Sequence, residues 1–109
     1  MKNKDFQIVY KKGISYANKY LVMYVLKNKE KENRLGISVS KKVGNSIIRH
    51  RLTRLVRESY RLQESRFQKG LDMVVVCRAS AKGKSYHDLE SALIHLGKLH
   101  NIIDDLVEM

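Results

Sequence analysis

The chain has no proline, no tryptophan and a single cysteine, and its 11 acidic side chains are outnumbered two to one by 22 lysines and arginines. One cysteine makes neither an internal disulfide nor a multi-cysteine zinc site, so the composition suits a reducing, cytoplasmic setting. No stretch approaches the roughly 18 uncharged apolar residues of a membrane span. The opening Met1-Lys2-Asn3-Lys4-Asp5 also lacks the apolar core of a signal peptide. Membrane-spanning and secreted readings drop out. No repeat, low-complexity tract or linker divides the sequence. What is present is 109 residues of which 43% are apolar, enough for one domain with one core over 1–109. A disordered tail protein is excluded on the same ground. The remaining fact is a net charge of +11, which implies a polyanionic partner, most often nucleic acid.

The charge is uneven. Residues 1–40 sum to +6, residues 41–61 again to +6, and residues 62–109 to −1. A chain basic only for solubility would spread its excess, so this pattern reads as a binding half followed by a neutral remainder. The densest block holds Lys41, Lys42, Arg49, Arg51, Arg54, Arg57 and Arg61 against Glu58 alone.

Apolar periodicity places that block. Phe6, Val9 and Tyr10 sit at i, i+3 and i+4 of a short amphipathic helix over 4–11, ended by Gly13. Residues 19–27 are β-branched and aromatic, with Tyr20, Val22, Tyr24 and Leu26 on one face of a strand and Leu21, Met23 and Val25 on the other. A charged loop over 28–33 leads to a second strand over 34–40, expected as the hairpin partner of the first. A further short strand near Ile14–Tyr16 is weakly marked. Gly44-Asn45 breaks the pattern, Asn45 being a good N-cap, and a helical period runs from Ser46 to about Phe67. Residues 71–78 form a continuous apolar run, expected as a central strand buried on both faces. Ser85-x-x-Asp88 matches a capping box for a last amphipathic helix through Leu89, Ala92, Leu93, Leu96, Leu99, Ile103 and Leu106. The reading is one α+β domain, a two-layer sandwich in the order α-β-β-β-α-β-α. A mixed sheet of about four strands is packed by helices, the central one basic.

Projected at about 100° per residue, residues 46–67 separate into two arcs. Ile48, Leu52, Leu55, Val56, Ser59 and Leu62 share one; Arg49, His50, Arg51, Thr53, Arg54, Arg57 and Arg61 share the other. A solvated face would ordinarily mix both signs, whereas this one carries five arginines and no lysine. Guanidinium forks suit phosphate, and each phosphate neutralised releases counterions. Glu58 and Glu64 share the polar half and offer local ion pairs. A protein-borne hydrolytic centre is not expected. The basic half holds only Asp5, Glu30, Glu32 and Glu58, without the clustered carboxylates a metal nuclease uses. His50, His87, His95 and His100 show no metal-ligand spacing, and Cys77 sits in the apolar run as a core residue. Neither catalytic nor metal-ligating residues are assigned.

Residues 38–61 read Ser-Val-Ser-Lys-Lys-Val-Gly-Asn-Ser-Ile-Ile-Arg-His-Arg-Leu-Thr-Arg-Leu-Val-Arg-Glu-Ser-Tyr-Arg. This closely resembles the signature of the bacterial ribonuclease P protein subunit: a strand ending Ser-Lys-Lys-x-Gly-Asn, then a helix with an Arg-Asn-Arg-x-Lys-Arg-like core. The resemblance covers nearly the whole chain, including the Asp5-Phe6 to Gly13 opening and the element order. Two positions depart from the pattern, His50 at the centre of the triplet and Thr53 at the following lysine. Relatives often carry basic terminal arms; this chain starts shortly before its first helix and ends Asp-Asp-Leu-Val-Glu-Met, so contacts made by such arms are expected to be missing.

The resemblance implies a sandwich like the second domain of a small-subunit ribosomal protein. It also implies a subunit of an endoribonuclease that removes the 5′ leader of precursor tRNA. The catalytic RNA performs the chemistry with Mg²⁺ bound mainly by that RNA, and the protein alone is not catalytic. The implied partners are the ribonuclease P RNA and precursor tRNA, with no obligate protein partner. By the same resemblance, Lys41, Lys42, Asn45, Arg49, His50, Arg51, Arg54, Arg57 and Arg61 contact RNA. Phe6, Tyr10, Tyr24, Ser38 and Ser40 line a leader-binding cleft between the sheet and the basic helix. Aromatic surfaces beside cations suit single-stranded RNA, although Phe6 and Tyr10 equally suit packing of the first helix, and Tyr16 and Tyr20 read as core or rim. Two other classes remain open: a small basic ribosomal or structural RNA-binding protein, and a free-standing nuclease. Strands before the basic helix argue against a helix-turn-helix DNA reader.

Overall fold

The computed structural model describes residues 1–103. Helix α1 (Asn3–Lys12) is followed by strands β1 (Ile14–Ala17), β2 (Leu21–Lys27) and β3 (Arg34–Ser38), helix α2 (Ser46–Gln63), strand β4 (Leu71–Cys77) and helix α3 (Tyr86–Leu99). This is the expected α-β-β-β-α-β-α order. The four strands form one mixed sheet in the order β1-β2-β4-β3. The apolar run is central, as expected: β4 pairs antiparallel with β2 and parallel with β3, and its side chains from Leu71 to Val75 are buried.

The expected hairpin between the two flanking strands does not form. Val74 of β4 lies between Tyr24 of β2 and Gly36 of β3 in register. The hairpin partner of β2 is instead β1, the weakly marked strand, with Tyr16 opposite Met23. The reason is burial: the most apolar strand gains most from two neighbours and two covered faces, so it displaces the amphipathic 34–38 strand to the edge.

Side-chain alternation divides the sheet into two faces. Met23, Leu35, Ile37, Met73 and Val75 face the main core with Leu52 and Val56 of α2 and Leu89, Leu93 and Leu96 of α3. Tyr24, Gly36 and Val74 share a row on the opposite face, where α1 lies with Val9 fully buried. Helix α2 begins at Asn45, whose side chain accepts the Ile48 amide, and α3 begins in the expected Ser85/Asp88 capping box.

The structure departs from the helical projections in one side-chain exchange and at two helix ends. Leu62 is 54% exposed, while Tyr60 is buried in its stead. Tyr60 stacks on Phe67 at 5.1 Å between ring centroids and accepts a hydrogen bond from Asn33, so a larger side chain closes this end of the core. The second helix stops at Gln63 and continues as a 3₁₀ turn over Glu64–Arg66. The last helix stops at Leu99, because Asn101 takes a left-handed φ of 60° and Ile103 turns back to bridge Phe67. Leu106 lies outside the described residues.

Candidate nucleic-acid interface

Helix α2 is rolled so that Leu52, Val56, Ser59 and Tyr60 are buried. Arg49 and Thr53 are thereby half-buried, whereas His50, Arg51, Arg54, Arg57 and Arg61 remain exposed. The partners of these side chains separate them into classes. Arg49 Nε donates to the Gly44 carbonyl at 3.2 Å and Arg51 Nη1 to the Lys84 carbonyl at 3.3 Å, so both are aimed by neutral oxygens and keep their full charge. Arg61 is held by Glu58 through two bonds of 2.9 and 2.6 Å. That hydrogen-bonded contact holds the Glu58 carboxyl below its ordinary range. Arg54 and Arg57 make no hydrogen bond or ion pair among the described residues. Two unpaired guanidinia one turn apart on an exposed helix face offer forked donors of the geometry that suits phosphate.

The remaining residues of the basic block precede α2. Lys41 and Lys42 are exposed in the turn after β3, which is closed by the Val43 amide donating to the Ser40 carbonyl at 3.0 Å. Val43 is buried and anchors this turn to the core. Asn45 spends its carboxamide oxygen on the helix cap, at 3.0 Å from the Ile48 nitrogen. At the two family-pattern departures, Thr53 donates its hydroxyl to the Arg49 carbonyl at 2.9 Å, and His50 is exposed between two grooves. One, of about 310 Å³, runs between Ile37 and Val39 at the sheet edge and Arg49, Arg54 and Arg57 of α2. The other, of about 800 Å³, is lined by Ile47 and Leu55 together with Arg51 and Arg54.

The five residues expected in a leader cleft are not in the groove between sheet and basic helix. Tyr24 and Ser38 project from the opposite face of the sheet, because they alternate with Met23 and Ile37, which face α2 and α3. Phe6 lies directly over Gly36, so closely that a Cβ there would stand 2.4 Å from the ring. Tyr10 meets Phe6 at 6.3 Å and Tyr24 at 4.9 Å, both edge-to-face. All three rings are half-buried, so each packs α1 and also presents an edge. One row along, Val22, Val76 and Ser38 continue this surface, half-exposed, toward the exposed Ser40 and Lys41. The aromatic surface and the cationic helix therefore lie on opposite faces of the sheet and meet around the edge strand β3.

A framing element was missed by sequence reasoning. Asp72 is 5% exposed and its carboxylate accepts from Arg34 Nε at 2.9 Å, Arg34 Nη2 at 2.6 Å and Asn28 Nδ2 at 2.9 Å. The Arg34 hydrogen bonds hold it below the ordinary carboxyl range. Arg34 also reaches Asp5 of α1 at 3.7 Å, so one guanidinium ties helix, edge strand and central strand together. A single acid within the apolar run of β4 was the signal available. Among the described residues, no three of His, Cys, Asp and Glu come together as a metal site would need. Among the described residues, no helix is long and apolar enough to cross a membrane.

Comparison with known proteins agrees with this architecture. Residues 1–100 match the family model described as Ribonuclease P. The ribonuclease P protein component of Lachnoclostridium phytofermentans is 64% identical over 101 residues, 93% of this chain and 87% of that protein. Its counterpart in Clostridium botulinum strain Langeland is 53% identical over 98 residues, covering 89% and 88%. Among solved structures, the RNase P protein of Staphylococcus aureus superposes with a TM-score of 0.88 at 38% identity, covering 95% of each chain. That of Thermotoga maritima gives 0.84 at 32% identity, covering 91% and 94%.

Proposed function

The chain belongs to the ribonuclease P protein family, and from that premise we propose a division of labour between its two surfaces. The basic surface of Lys41, Lys42 and α2 binds the catalytic RNA. The aromatic surface beneath α1 holds the single-stranded 5′ leader of precursor tRNA. The observation that carries this reading is the meeting of two chemically distinct surfaces at β3: exposed, unpaired Arg54 and Arg57 on one side, and Phe6, Tyr10, Tyr24 and Ser38 on the other. Each suits a different part of a ribonucleoprotein substrate complex. A structured RNA is engaged through its phosphates, which needs fixed cations and releases counterions. An unpaired leader offers base faces and ribose hydroxyls, which suit ring edges and the Ser38 hydroxyl.

The protein then acts by positioning and charge, and the phosphodiester chemistry belongs to the RNA. Mg²⁺ would be held mainly by RNA phosphates, where it supplies Lewis-acid and nucleophile-activating chemistry. Arginines neutralising phosphates beside it reduce the Mg²⁺ concentration the assembly needs. The test is reconstitution. The chain alone is expected to leave precursor tRNA intact, and with its cognate RNA to restore leader removal at low Mg²⁺. Soluble, folded protein that fails to do so, or that binds ribosomal RNA without preferring ribonuclease P RNA, would overturn the proposal. Mg²⁺-dependent cleavage by RNA-free protein would place the chemistry in the protein instead.

A further inference from the structure

The segment after Arg61 is neutral in sum, but not in space. Three acids of this segment are engaged elsewhere: Asp72 by Arg34 and Asn28, Glu90 by the Tyr86 hydroxyl at 2.7 Å, Asp88 by the Ser85 cap. Its cations Arg78, Lys82 and Lys84 fall within one short turn that contains no acid. A 3₁₀ turn over Ala79–Ala81 and Gly83, at a left-handed φ of 78°, fold this stretch into a compact loop. The loop docks on the start of β2. Arg78 Nη1 donates to the Asn18 carbonyl at 2.6 Å, the Arg78 amide donates to the Tyr20 carbonyl at 2.9 Å, and the Ser80 hydroxyl donates to the Lys19 carbonyl. Lys19 thereby joins the group. The ammonium groups of Lys19 and Lys84 stand 5.6 and 5.5 Å from the centroid of the Tyr20 ring, each within cation–π range.

We propose that Lys19 and Lys84 at the Tyr20 ring, together with Arg78 and Lys82 of the same loop, form a second phosphate-binding surface for the same RNA that α2 engages. The proposal rests on the RNA-binding reading of α2. Two lysines brought to one ring with no carboxylate bridging them repel each other in the free protein, and a polyanion relieves that repulsion. None of the four takes part in an ion pair among the described residues. Asp88 is the acid that feels Lys84, and its Oδ2 is already bonded to the Ser85 hydroxyl at 3.0 Å. Continuity with α2 identifies the partner: Arg51 of the basic helix donates to the Lys84 carbonyl, so the two surfaces are joined by a direct bond. Phosphates tracked by Arg54 and Arg51 lead onto Lys84 and then to Lys82, Arg78 and Lys19.

The test is binding of the full chain to ribonuclease P RNA as a function of salt, with a Lys82→Gln/Lys84→Gln double variant. Both substitutions leave the backbone carbonyl that receives Arg51. Each phosphate contact contributes about 0.9 to the slope of log affinity against log salt, a factor of about 3.5 between ~50 and ~200 mM. The double variant should therefore lose about tenfold less affinity over that range than the parent, and bind more weakly at low salt. Its circular dichroism and melting should be unchanged. An unchanged slope in a folded variant overturns the inference. Loss of slope seen only when precursor tRNA is added to the assembled complex overturns the assignment to the ribonuclease P RNA. If the parent itself shows no salt-sensitive binding, the RNA-binding reading of α2 fails. If the parent binds and Arg57→Ala lowers the slope while the double variant does not, only the second surface is lost.

Discussion

Substituting Asp72→Asn keeps the shape of a nearly buried side chain and removes only its charge. Asp72 is 5% exposed and accepts three hydrogen bonds, two from Arg34 and one from Asn28. The variant removes the ion pair and turns an amide donor toward the guanidinium or Asn28. Breaking a buried ion pair costs about 3–5 kcal/mol. The Arg34 side chain is 48% exposed, however, so water recovers part of its solvation. A loss of about 2–3 kcal/mol follows, which in a domain of this size lowers the melting temperature by about 10–20 °C. The pH dependence carries the stronger test. The Arg34 hydrogen bonds depress the carboxyl in the folded state. The pair's contribution is therefore fully present above the ordinary carboxyl value of about 3.9 and disappears as pH falls through the lower folded value. Asparagine does not titrate. Thermal melts of both proteins should run parallel from about pH 5 upward and converge in acid below about pH 4. A gap under about 4 °C at pH 7, or one that persists unchanged into acid, would refute the assigned role of the pair.

Arg57→Ala should weaken binding to ribonuclease P RNA and reduce its salt slope by about 0.9, whereas Arg61→Ala should do much less, because Glu58 already occupies Arg61; equal losses in filter binding would contradict this. Gly36→Ala places a Cβ 2.4 Å from the Phe6 ring, so α1 must shift at a cost of about 1–3 kcal/mol, read from urea midpoints. A second change, Phe6→Leu, should recover part of that stability, and leader-dependent binding of precursor tRNA should weaken in both variants. The Cys77 thiol is pushed up to about 11 by burial. Iodoacetamide at pH 8 should therefore alkylate it more than about 100-fold more slowly than a free thiol until urea unfolds the chain. Rapid labelling of native protein would place Cys77 outside the core.

Much of the fold was legible because its signals are local. The apolar run of residues 71–78 required a strand with both faces covered, and β4 is central. Asn45 and the Ser85/Asp88 pair capped the helices they marked, since a capping bond joins residues three apart. The basic block appeared as a helix face because helical periodicity is contained in the chain itself. The Leu62 expectation failed where packing decides: a projection fixes spacing around a helix but not its roll, and Tyr60 filled the space better.

By itself, the sequence determined the element types, the central strand, a cationic helix and a strongly basic overall charge. Those depend on near neighbours and on composition. Tertiary structure alone decided which strands pair, since pairing depends on total burial across all four, and it put β4 where a hairpin was expected. It set Phe6, Tyr10 and Tyr24 on the face opposite α2, because each strand alternates its side chains about a common sheet. It also fixed which charges are already paired. Glu58 holds Arg61, Asp72 holds Arg34, and Lys84 meets Lys19 at one ring from far along the chain. Net charge adds along a sequence, but an incoming phosphate responds to the charges within a few ångströms, and only the fold brings those together.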